Sequence, residues 1–143
     1  MKNTNQAIVD NFFAAYSKHD MDGIREVMDE NVKWYFMGQH PLAGVKNGIT
    51  EVIEFFDRVG KIMGESKPSI NKLIVAENEN YFIECIHSKT NRSDDNNLEH
   101  FACVLWTFGS NGGSVRKITE GRHFFSDADP VNRYFNSVVT NNA

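Results

Sequence analysis

Cysteine is scarce in this chain, long apolar runs are missing and basic residues do not cluster; each shortage removes a class of protein. The 2 cysteines, Cys85 and Cys103, form neither a disulfide framework nor the repeated close pairs that hold zinc. Each sits inside an apolar run, so both read as small buried hydrophobes. Apolar stretches last only a few residues, well short of the roughly 20 that cross a bilayer, so no membrane partner is expected. The first six residues lack the apolar segment of a signal peptide, and the cytoplasm is the expected compartment. Asn91-Arg92-Ser93 matches a glycosylation sequon, a match without weight where no export signal precedes it. The 15 lysines and arginines are scattered through a chain of net charge −4, which excludes the basic stripe of a nucleic-acid partner. No repeat, linker or low-complexity segment interrupts the 143 residues, so a single domain with its own core is expected over 1–143.

What is present is periodicity. Ile8, Phe12 and Tyr16 recur every four residues with Val9 and Phe13 beside them, which predicts a helix over about 5–18, capped by Thr4 or Asn5. A short second helix follows Asp20, with Ile24, Val27 and Met28 inward. Val32, Trp34 and Phe36 alternate with Lys33 and Tyr35, a strand pattern. A breaker-rich loop, Gly38 to Gly44, leads to a helix starting at Gly48 and carrying Ile49, Val52, Ile53, Phe56 and Val59. Strands are then expected near 68–77, 80–90, 98–109 and 114–126, with turns at 77–80, 91–97 and 109–113. Asp129-Pro130 and the Val131, Tyr134, Phe135 spacing predict a short terminal helix or a tail that packs back.

Helices gathered ahead of consecutive strands imply an α+β fold: an antiparallel sheet with helices on one face. The 98–108 strand is apolar on both sides, with Ala102, Val104 and Trp106 on one and Phe101, Cys103 and Leu105 on the other. Both sides need cover. The helices supply one, and a second copy of the chain is the expected other.

The order of these elements resembles the SnoaL-like branch of the NTF2-like superfamily, the fold of polyketide cyclases and ketosteroid isomerase. The residues that carry the resemblance are His19-Asp-Met-Asp-Gly-Ile24 after the first helix, and His40-Pro-Leu-Ala-Gly44 before Asn47-Gly48 and the helix with Phe55-Phe56. A third stretch is Lys117-Ile118 leading to Arg122-His-Phe-Phe125. The resemblance implies a cone: a curved sheet wrapped around a long helix, with two further helices at the N-terminus and a mouth for an apolar ligand. It also implies a homodimer through the outer sheet face.

A shared fold does not fix a function, so the catalytic residues of relatives are compared one at a time. The tyrosine and two aspartates that ketosteroid isomerase resemblance implies fall on Phe12, Trp34 and Val104, which excludes that chemistry by its usual groups. The Asp-Arg-Asp set of limonene epoxide hydrolase resemblance falls on His87, Cys85 and His123, and is absent as such. SnoaL-type cyclases are similar in placing an acid/base group late in the last strand, aspartate there and His123 here.

His123 is therefore the leading candidate acid/base, with His87 or Asp127 assisting. Proton removal next to a carbonyl of a hydrophobic compound is the reaction implied. His87 shares its alternation with Tyr81, Ile83 and Cys85, which reads as an inward row; His100 shares that of Val104 and Trp106. Glu84 and Glu120 alternate away from the cavity on this alignment. The aromatics Phe12, Tyr16, Trp34, Phe36, Phe56, Trp106 and Phe125 are core residues first, and some line the cone; His40 borders its mouth. Ligand spacing for a metal is absent, and neither a metal nor a cofactor is expected. The alternative is a non-catalytic ligand-binding or interaction module.

Overall fold

The computed structural model describes residues 4–110 and 115–141. Its elements are α1 (Asn5–Ser17), α2 (Met21–Val27), β1 (Met28–Phe36), β2 (Gly44–Asn47), α3 (Gly48–Ser66), β3 (Ser69–Glu77), β4 (Tyr81–Lys89), β5 (Glu99–Gly109), β6 (Lys117–Phe125) and α4 (Ala128–Asn141). The expected turn over 109–113 and the strand start at 114 lie partly outside the described residues.

The Thr4 hydroxyl accepts a hydrogen bond from the Ala7 N–H at 3.1 Å and caps α1. Ile8, Val9, Phe12 and Ala15 form the buried stripe of that helix. Asn5 is buried beside them. Its amide donates to the carbonyls of Asn78 at 2.8 Å and Glu79 at 3.2 Å, which ties the start of α1 to the β3–β4 turn. Asp20 caps α2 by accepting from the Gly23 N–H at 3.0 Å. Met28, expected on that helix, instead opens β1 and is buried there. α3 runs 19 residues, about 28 Å at the usual rise, and turns Ile49, Val52, Phe55, Phe56 and Ile62 inward.

The six strands lie in the order β2-β1-β6-β5-β4-β3. All neighbours are antiparallel except β1 and β6, which run parallel, so the sheet is mixed. The parallel pair joins the first long strand to the last, through the whole intervening chain. β2 carries no apolar alternation that marks it as a strand; pairing along Lys33–Phe36 of β1 makes it one. Thr107 faces Glu120 while the next residue, Phe108, faces Ile118, so Thr119 is an extra residue in β6. The bulge returns Ile118 to the inner face, where it is fully buried.

Facing residues on the inner face run in rows across the strands. Phe82, Trp106, Gly121 and Trp34 form one row, and Glu84, Val104 and His123 the next. Gly121 is glycine because the indole of Trp34 lies on it: a Cβ there would sit 2.1 Å from Trp34 Cζ3. α4 closes one end of this face. Its Val131, Tyr134, Phe135 and Val138 are buried, and its polar side chains bind the loop after β1. Asn132 Oδ1 accepts from Gln39 N–H and Asn136 Nδ2 donates to the Gln39 carbonyl, both at 2.9 Å. Tyr134 hydroxyl and Ser66 Oγ hydrogen-bond beneath it.

Candidate functional site

The inner face divides into a packed middle and a polar-spotted end. In the middle, Trp34 lies edge-on to Phe56 at 4.9 Å and to Trp106 at 5.1 Å between ring centres. Phe12 touches both Phe56, at 5.0 Å, and Trp106, at 5.3 Å. Tyr16 stacks on Phe12 at 5.7 Å, and its burial pushes the phenol up to about 12. The aromatics expected to line a cone therefore pack against one another, and the side chains of this cluster fill its middle.

The end near α4 is different in chemistry. His123 points inward from β6, edge-on to Phe36 at 4.9 Å and to Trp34 at 5.6 Å, with Phe125 stacked at 6.1 Å. His40 is edge-on to the same Phe36 at 5.4 Å and lies 5.0 Å from Phe135 of α4. His100, inward on β5, lies 5.7 Å from Phe125. Phe36 and Phe125 are themselves in contact at 5.7 Å, so three imidazoles gather around one aromatic pair.

Each of these imidazoles keeps a ring nitrogen out of water and without a partner: His40 Nε2, His100 Nδ1 and His123 Nε2. His40 Nδ1 accepts from the Leu42 N–H at 3.2 Å, which fixes its tautomer with the proton on the orphan nitrogen. An unmet polar atom in an apolar setting costs about 1–3 kcal/mol, a cost that a ligand carrying an oxygen offsets. All three are held neutral. Desolvation drives His123 down to about 3, with His100 adding to the effect. It lowers His100 as well, with His87 contributing, and lowers His40 together with the charge of Lys46.

Three residues expected at the site are not there. His87 and Cys85 project from the outer face of β4, because their facing residues, Phe101 and Cys103, belong to the outer row of β5. His87 Nε2 meets Glu99 Oε2 at 2.8 Å on that side. Asp127 follows β6 and accepts from the Asp129 N–H at 3.2 Å, a local turn in which it is exposed. Val104 stays in the inner row, between Glu84 and His123.

Glu84 is turned the opposite way from the sequence expectation, like His87 and Cys85. It is inward and buried, and Lys72 of β3 reaches its Oε2 at 3.2 Å. A signal existed: Phe82, Glu84, Ile86 and Ser88 share one alternation. It was masked because the other alternation, Tyr81, Ile83 and Cys85, is more apolar although it faces out. No group of three His, Cys, Asp or Glu among the described residues is arranged to hold a metal ion.

A mixed sheet curved over a long helix, with a histidine late in its last inner strand, defines an α+β cone of the NTF2-like class. The chain belongs to the SnoaL-like domain family, whose pattern matches residues 9–125. Among solved structures, one from a soil-derived mobile gene cassette is 23% identical with a TM-score of 0.69, covering 92% of this chain and 95% of that one. An NTF2-like protein of unknown function from Burkholderia pseudomallei is 19% identical with a TM-score of 0.72, covering 94% and 98%. A protein assigned as a SnoaL-like polyketide cyclase from Jannaschia sp. CCS1 is 16% identical with a TM-score of 0.62, covering 85% of each chain. Comparison with curated proteins returns no match. No helix among the described residues is long and apolar enough to cross a membrane.

Proposed function

We propose that this SnoaL-like protein is a cytoplasmic homodimer that binds a hydrophobic small molecule bearing a carbonyl or hydroxyl group, at the end of the cone where His40, His100 and His123 meet. The observation that carries this reading is the set of three buried, unpartnered ring nitrogens around Phe36 and Phe125. Neutral imidazoles offer a hydrogen bond without charge, which suits a neutral oxygen on an apolar body better than a carboxylate.

The same geometry weighs against His123 as a strong base in the empty site. A general base works best with a pKa near the operating pH, and burial has moved this one to about 3. A polar anchor is the better fit. Cyclase- or isomerase-type acid–base chemistry with His123, known in the family, is the second reading, favoured by the position of that residue late in β6. It needs a ligand that gains negative charge beside the ring and so raises its basicity.

The outer face supports the dimer. Phe101 and Phe124 are 53% and 52% exposed, with Leu73 and Ile74 of β3 continuing the patch. Such continuous apolar area on a sheet marks an interaction surface.

Native mass spectrometry of freshly purified protein tests the ligand reading. The expected result is a retained apolar compound that is released on denaturation and absent from His123→Phe. A bare mass for the wild-type chain, or equal retention by the variant, sinks it. Turnover of a hydrophobic carbonyl compound that disappears in His123→Ala, with folding intact, decides for the enzyme.

A further inference from the structure

Cys85 and Cys103 face each other directly across β4 and β5, both are free thiols and both are partly exposed. They line an outer-face cavity of about 320 Å³ together with Leu73, Phe101 and Phe124. Residues directly opposite in an antiparallel pair have Cα atoms about 4.5 or 5.5 Å apart, according to which kind of pair they form. Either spacing falls inside the roughly 4.4–6.8 Å range that disulfides span. The side chains of such a pair point to the same side of the sheet, so the two sulfurs are already neighbours.

We propose that Cys85 and Cys103 are a dithiol modification site, which a small-molecule disulfide such as oxidised glutathione converts into a cross-strand disulfide. A thiolate of Cys85 attacks one sulfur of the reagent, forming a mixed disulfide and expelling one glutathione thiolate. The Cys103 thiolate then attacks the Cys85 sulfur and expels the second. The protein loses two protons and two electrons, and the reagent becomes two thiols. The side-chain hydrogen bond with Cys85, and burial after it, push the Cys103 thiol up. Once Cys85 is in the mixed disulfide, that restraint on Cys103 is gone.

Closing the bond draws two opposed Cβ atoms from about 5 Å toward about 3.8 Å and stores strain. Strained, accessible disulfides are the readily reduced kind, so the change is reversible. The site does not depend on a ligand at His123. It lies under the dimer face proposed above, so exchange runs through the open monomer.

The test treats the reduced full-length chain with oxidised glutathione over a series of protein concentrations, from well above to far below micromolar. Intact mass and non-reducing electrophoresis read the outcome. The expected product is a monomer lighter by two hydrogen atoms, with Cys85 and Cys103 linked in one peptide pair, formed faster at low concentration and reversed by dithiothreitol. Cys103→Ser and Cys85→Ser are each expected to stop at a single glutathione adduct on the cysteine that remains. Cross-linked dimers, two separate adducts without closure, or no reaction at any concentration each overturn the proposal. Circular dichroism of both variants separates loss of fold from loss of reaction.

Discussion

The two faces of strands β4, β5 and β6 are made of similar residues and meet opposite fates. On the inner face Trp106 is 2% exposed and Phe82 likewise 2%; on the outer face Phe101 and Phe124 are more than half exposed. Trp106 and Phe101 lie in the same strand, five residues apart. The difference lies in what covers each face: the chain's own helices on one, and none of the described elements on the other. Apolar character in a strand therefore says that cover is needed, and nothing about who supplies it. Inside, cover shields the Nε2 of His123 from water; outside, none of the described elements supplies it.

Substitutions that break the inner face are expected to have the largest effects. Trp34→Ala removes the ring that touches Phe56, Trp106 and His123, and should cost about 3–5 kcal/mol in denaturant unfolding. Gly121→Ala is smaller as a chemical change but places a methyl against the Trp34 indole. It should cost about 1–3 kcal/mol, and Gly121→Ala combined with Trp34→Phe should recover part of that loss.

Acid sharpens the comparison further. His123 is lowered to about 3 in the folded chain and returns to about 6.5 when unfolded. The unfolded state thus binds the extra proton between those values. Stability is full above about pH 6.5 and falls as pH drops through that window, with a slope approaching about 1.4 kcal/mol per pH unit. His100 and His40 act in the same direction. His123→Phe should flatten the acid limb of stability between pH 4 and 6, measured by urea midpoints at stepped pH.

The outer face should show the reverse balance. Phe101→Glu is expected to change monomer stability by no more than about 0.5 kcal/mol, since the side chain is already in water. Its effect belongs in association: light scattering after size exclusion should show a dimer for the wild-type chain and a monomer for Phe101→Glu.

Much of the fold is legible in the sequence because its elements carry their own periods. The α1 stripe, the alternation of Val32, Trp34 and Phe36, and the four late strands are local patterns that tertiary contacts did not overrule. The parallel β1–β6 pair is not a local property, since it joins segments about 90 residues apart through registers such as Trp34 with Gly121. At the site, the inward direction of His123 survives because the β6 bulge falls at Thr119, before Gly121, and not between Gly121 and His123. The reversed placement of His87, Cys85 and Glu84 has one cause. In β4 the more apolar alternation faces outward, so reading the apolar side as the inner side fails there.

The central claim is that His123 is a neutral imidazole whose Nε2 is shielded from water and unpartnered at the inner end of the cone. Its ring nitrogens, followed by nitrogen-15 NMR from pH 8 to 4, test this most directly. A ring that stays in one neutral tautomer down to pH 4, in a chain still folded, is the predicted result. Protonation of His123 near pH 6.5 would contradict the account, because it would mean that water already reaches the nitrogen reserved here for a ligand.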